Sequence, residues 1–176
     1  AGAGLGLAEM IASGVTCVAD MYMHTGTIAE QILEAGISAN LSCGGVYFGA
    51  PEDFSPETCG DCRNQAALTE EWHGAGAGQI LVDASVHGEY TSNPPLWRWM
   101  AEYAAEHRLG MHVHVSETQS EHQASLERWG KTPIQALDGC GVWDCGRSLA
   151  AHCVYTTEED WALMAEKGIS CVHNPW

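Results

Sequence analysis

Residues 111–118 read Met111-His112-Val113-His114-Val115-Ser116-Glu117-Thr118. Apolar and polar positions alternate through the first five residues, the pattern of a strand. Residues two apart on a strand face the same way, so His112 and His114 point to one side. Thr118-x-x-Glu121 is a capping box, which sets a helix start after Thr118 and leaves Glu117 in the strand-to-helix turn. A neutral imidazole at a strand terminus suits a first-row metal ion, and a carboxylate three residues later can stand over the water that such a metal activates. An isolated H-x-H pair is more often two polar residues on an edge strand. What shifts the balance is its company.

Short β-rich runs alternate with helix-period stretches along the whole chain. Strands are expected at Val15–Met21, Ile37–Tyr47, Ile80–His87, Met111–Ser116, Leu149–Val154 and Ile169–Val172. Between them, Thr27-x-x-Glu30 and Thr157-x-x-Asp160 read as helix starts, and Gly36 and Gly168 as helix stops. Pro94–His107 carries Leu96, Trp97, Met100 and Tyr103 at helical spacing, and residues 49–66 read as a long loop of the kind that sits beside a site. Strands alternating with helices specify an α/β protein with a parallel sheet and right-handed crossovers.

Two architectures fit, a doubly wound sheet and part of a (β/α)8 barrel. No G-x-G-x-x-G follows an early strand, because Gly2, Gly4 and Gly6 precede the first one. His87, His114 with Glu117, His152 and His173 all fall at or near the C-terminal ends of strands, the rim where barrels build their sites. The expected fold is therefore a partial TIM barrel. A complete barrel takes about 250 residues, so this chain is expected to supply approximately strands 2 to 7.

The chain has 176 residues, with 23 Asp+Glu against 7 Lys+Arg and a formal charge of −16. That balance argues against nucleic acid and against anionic membranes, both of which need clustered cations. No apolar run approaches the ~20 residues that span a bilayer. The eight cysteines (17, 43, 59, 62, 140, 145, 153 and 171) lie mostly in apolar runs and read as free thiols of a reducing cytoplasm. The N-terminus lacks the basic segment of a signal peptide. Cys59-x-x-Cys62 lacks a second pair that would complete a zinc site and reads as surface-loop thiols. A cytidine-deaminase pattern is excluded because His87-Gly-Glu89 and Cys59-Gly-Asp-Cys62 stand in reversed order, with Thr58 where a proline belongs. His24, His73, His107 and His122 read as solvated, and Trp97, Trp99, Trp129 and Trp161 as helix packing.

His114-Val-Ser-Glu117-Thr118, Ala151-His152-Cys153-Val154 and His173-Asn174-Pro175, in this order and spacing, resemble the amidohydrolase superfamily. Within it they resemble the deaminase/chlorohydrolase branch, which includes S-adenosylhomocysteine and methylthioadenosine deaminases. Ser13-Gly-Val-Thr16 with Asp20-Met-Tyr22, and His87-Gly-Glu-Tyr-Thr-Ser92, are similar to two further blocks. The resemblance implies metal-dependent hydrolytic deamination of an aminated heterocycle, an adenosine-type nucleoside or related purine. The alternative it leaves open is C–N or C–Cl hydrolysis of a non-nucleoside ring. It implies one divalent metal ion, zinc or iron, with His114 as a ligand. Glu117 would shuttle the proton and touch substrate, His152 would steady the attacking water or the oxyanion, and His87 would contact substrate. His112 is left as a neighbour, and His173 as part of the pocket wall.

The same resemblance implies a first-strand H-x-H and an eighth-strand Asp as further ligands, and neither is among these 176 residues. The chain is therefore expected to be an incomplete hydrolase domain, inactive by itself, whose parent is the enzyme; His114 alone cannot hold a metal tightly. Arg63 is the one arginine in the loop region available to a substrate carboxylate. The expected partners are a small-molecule substrate and, through open sheet edges, further copies of the chain as a homo-oligomer.

Overall fold

The computed structural model describes residues 2–174. All strand pairs are parallel, and strands adjacent in sequence are adjacent in space. After helix α1 (Gly2–Ala12) come β1 (Cys17–Met21), α2 (Thr25–Ala35) and β2 (Ser38–Ser42). Helix α3 (Gly60–Trp72) and the single turn α4 (Ala75–Gly78) lead into β3 (Ile80–Val82) and β4 (Ala84–Val86). Then follow α5 (Pro94–His107), β5 (Met111–Val115), α6 (Gln119–Trp129), α7 (Pro133–Asp138), β6 (Ser148–His152), α8 (Glu158–Lys167) and β7 (Ile169–Val172). The sheets run β1-β2-β3 and β4-β5-β6-β7.

β3 and β4 are one strand interrupted at Asp83, where it changes partner: β3 pairs with β2, and β4 pairs with β5. Gly45 stitches the two sheets together, its N–H donating to Ser85 O (3.1 Å) and its carbonyl accepting from His87 N (2.9 Å). Only glycine permits this approach, because a Cβ there would stand 2.8 Å from Ser85 O and 2.7 Å from Met100 Cε. Asp83 is fully buried. Its backbone N–H donates to Leu41 O (2.9 Å), and its carboxylate accepts from Gly110 N (3.0 Å), Asn40 Nδ2 and Arg147. A buried charge survives only when paired and hydrogen-bonded in this way.

The hydrophobic residues of β4, β5 and α5 form one core cluster with Trp143 and Ile134; Leu7, Ala29, Ile32, Leu41 and Ile80 form a second. Buried apolar runs such as Met111, Val113 and Val115 are what a sheet covered by helices requires. With Met111, Val113 and Val115 in the core cluster, His112 and His114 are left on the other face of β5. Among the described residues no helix is long and apolar enough to cross a membrane.

The glycine-rich start forms α1, ahead of the first strand as expected. Several other expectations are corrected. The Thr27-x-x-Glu30 box does not form: α2 begins at Thr25 after a left-handed His24 (φ 61°), and Thr25 Oγ1 donates back to Tyr22 O. The boxes at Thr118 and Thr157 do form. The loop expected over 49–66 ends early, because α3 starts at Gly60. That start turns Cys59 and Cys62 into the core rather than onto the surface. Trp97 packs as expected, whereas Trp129 and Trp161 are exposed and donate their indole N–H to Glu89 and Thr156.

Candidate active site

The C-terminal ends of three neighbouring strands bring four imidazoles together. His87 follows β4, His112 and His114 lie on β5, and His152 ends β6. Ring centroids are 5.4 Å apart for His87–His114, 5.8 Å for His112–His114 and 5.2 Å for His114–His152. Each ring has its own anchor except one. His87 Nδ1 lies 3.0 Å from Thr91 Oγ1, and buried His112 has Nδ1 3.1 Å from Ser42 Oγ at the end of β2. His152 Nε2 lies 3.7 Å from Glu117 Oε2, and its Nδ1 lies 3.5 Å from Asn174 Nδ2. His114 Nδ1 is buried with no partner among the described residues.

The backbone here is unusual. Ser116 (φ 54°), His152 (φ 77°) and Cys153 (φ 51°) are non-glycine residues in the left-handed region, all at the ends of β5 and β6. Such conformations are sparsely populated and persist only where surrounding bonds impose them. Those bonds are present. Cys153 N donates to Val115 O (3.1 Å), and Ser116 O accepts from Val154 N (2.9 Å) and Tyr155 N (2.8 Å). The turn after β5, which carries Glu117, is thereby tied to the turn after β6, which carries His152.

Burial holds His114 in the neutral form and lowers its pKa from 6.5 to about 4, with His112, His152 and His87 adding to the effect. Burial likewise lowers His112, with His152 adding and Asp83 opposing. The unfolded chain takes up protons at these rings at higher pH than the fold does. The metal-free fold is therefore expected to lose stability as pH falls from about 6.5 towards about 4. Urea midpoints measured across that range check this, and His114→Phe should flatten the profile.

A neutral imidazole with a buried, unpartnered nitrogen fits one ligand position of a metal. No group of three or more His, Cys, Asp or Glu among the described residues is arranged to hold a metal ion, so the remaining ligands would have to come from outside them. Beside the histidines lies a cavity of about 660 Å³ lined by Tyr22, Met23, Cys43, Gly44, Leu68 and Trp72, among others. Gly44 joins the two regions: a Cβ on it would meet Met21 and stand 3.8 Å from His87 Cβ.

Of the sequence candidates, His87, His112, His114, Glu117 and His152 converge. His173 is exposed, and Pro175 lies outside the described residues. The other histidines stay apart from the cluster, though three are not simply solvated. His73 Nδ1 accepts from Val82 N (3.1 Å), His107 stacks on Tyr103 at 4.1 Å, and His122 Nδ1 is buried with no partner among the described residues. Ser42 and Glu121 gave no sequence signal for the parts they play: Ser42 meets a histidine 70 positions away, and Glu121 reaches beyond its capping box.

A family model described as the amidohydrolase family matches residues 1–175. The 5-methylthioadenosine/S-adenosylhomocysteine deaminase of Halothermothrix orenii is 37% identical over 174 residues, covering 99% of this chain and 38% of that protein. Among solved structures, an adenosine deaminase from Xanthomonas campestris with bound zinc matches with a TM-score of 0.84 and 25% identity, over 99% of this chain and 38% of the other. A guanine deaminase from C. acetobutylicum with guanine in its active site has a TM-score of 0.85 at 18% identity, over 98% of this chain and 42% of the other, and supports the fold alone. The chain thus spans about two fifths of the length of the proteins it is similar to.

Proposed function

The chain belongs to the amidohydrolase family, and from that premise we propose that its whole protein hydrolytically deaminates an aminated heterocycle of the adenosine or purine type. The observation that carries this is the pairing of Glu117 with His152 at 3.7 Å, beside neutral His114, on the rim of adjacent parallel strands. In this reading the 176 residues are part of a metal-dependent barrel domain, with the first and eighth strands supplied by the rest of the protein. The similarity to methylthioadenosine/S-adenosylhomocysteine deaminases over 99% of the chain supports the substrate class.

His114 would be one ligand of a single divalent metal ion, zinc as in the similar adenosine deaminase, or iron. Bound there, the metal would bring the pKa of a water close to neutrality. Glu117, on its exposed turn, accepts a proton from the attacking water. It then delivers that proton to a ring nitrogen, which makes the adjacent amino-bearing carbon electrophilic. His152 donates its Nε2–H to the oxygen that develops negative charge as it bonds to that carbon. His87, held by Thr91, would contact the ring. Glu117 then carries the second proton of the water to the amino nitrogen, the C–N bond breaks and the amino group departs as ammonia. The eight free thiols fit a reducing, cytoplasmic setting.

Replacing His114 by Ala in the full-length protein is expected to lower bound metal well below one equivalent, because a ligand set short of a member binds weakly. Metal analysis after dialysis measures this, and full retention would remove His114 from the ligand set.

A further inference from the structure

The capping box at the start of α6 has an acid that does more than cap. A capping box needs one bond from the acid, to the N-cap N–H. Glu121 makes that bond at 3.4 Å, to Thr118 N, and two shorter ones upstream. Its Oε1 accepts from Ser116 N and its Oε2 from Glu117 N, both at 2.8 Å. The carboxylate is buried, so these bonds are not shared with water. They hold Ser116 at φ 54° and fix the direction in which the Glu117 side chain leaves the turn. The Ser116 carbonyl in turn binds the two amides that follow Cys153, Val154 N and Tyr155 N.

Building on the function proposed above, we propose that Glu121 is a positioning residue for the reaction: its buried carboxylate sets Glu117 against His152. An amide at 121 keeps a single acceptor oxygen and turns an NH2 towards the backbone donors, so at least one of the two short bonds is lost. Misplacing a proton-transfer group by about 1 Å costs on the order of 10²-fold in rate.

The test uses the full-length metal-loaded protein. Glu121→Gln is expected to lower kcat on the order of 10²-fold, with KM little changed and metal retained. In a double-mutant cycle, Glu117→Gln/Glu121→Gln should be no slower than Glu117→Gln alone, because the second change acts through a group already removed. Thr118→Val, which weakens the same helix start but leaves the Glu121 carboxylate bonds, should keep wild-type kcat. Should Glu121→Gln not fold, Glu121→Asp retains the charge but is one methylene too short for both amides. It should show a smaller kcat loss that again vanishes in the Glu117→Gln background. Losses that multiply across the cycle, or an unchanged kcat, overturn the proposal. If the wild-type protein releases no ammonia from any aminated ring, the reaction itself is wrong. The positioning claim is then read from hydrogen exchange: Ser116 and Glu117 amides protected in wild type and released in the variant uphold it, and unchanged protection overturns it.

Discussion

Glu117→Gln in the full-length protein is expected to lower kcat by about 10²- to 10⁴-fold, the range in which a positioned general acid–base group contributes. The amide has nearly the shape of the carboxylate but cannot take a proton at neutral pH. It therefore leaves the pocket intact while removing the carrier between water and ring nitrogen. The Glu117 side chain is 42% exposed and pairs with His152 at 3.7 Å, so the change should cost little stability. Metal content should stay at wild-type level, since His114 and not Glu117 is the ligand assigned here. Ammonia release and metal analysis on the same preparation separate these effects. A variant with near-normal turnover would remove Glu117 from the mechanism.

The largest effect on stability is expected at Asp83, at the junction of the two sheets. Asp83→Ala deletes the acceptor for Gly110 N and Asn40 Nδ2 and strands Arg147 without its partner. Arg147 is about half exposed and can be resolvated, so its loss counts for little. The Gly110 amide is buried and the Asn40 amide is partly so. Each buried donor left unpaired costs about 1–3 kcal/mol, so a destabilisation of about 3 kcal/mol is expected. The denaturant midpoint should fall with the slope unchanged. A shift under about 1 kcal/mol would mean that water reaches this junction and that the sheets are not joined there by Asp83.

Most strands were legible as short apolar runs bounded by turn residues, though the one expected over Ile37–Tyr47 forms only over Ser38–Ser42, and Met111–Val115 also announced which side its histidines face. The break between β3 and β4 was not legible. Ile80–His87 reads as one run, and the change of partner at Asp83 depends on Gly110 and Arg147, which lie far along the chain. The capping boxes show the same limit. Thr118 and Thr157 are themselves extended and cap their helices, whereas Thr27 falls inside a first turn that a left-handed His24 starts early. That His87, His114, Glu117 and His152 converge could be read from their positions at strand ends. What holds them could not: the left-handed turns at Ser116 and His152 and the Ser42–His112 contact are products of tertiary structure.

The central claim is that this rim carries out hydrolysis at an amino-bearing ring carbon. It is tested most directly by incubating the full-length metal-loaded protein with an aminopurine nucleoside in heavy-oxygen water and analysing the products by mass spectrometry. The account predicts one ammonia released per product and one labelled oxygen on the ring carbon that bore the amino group, with both signals lost in Glu117→Gln. Product without the label, or labelled product formed equally fast by Glu117→Gln, would contradict it.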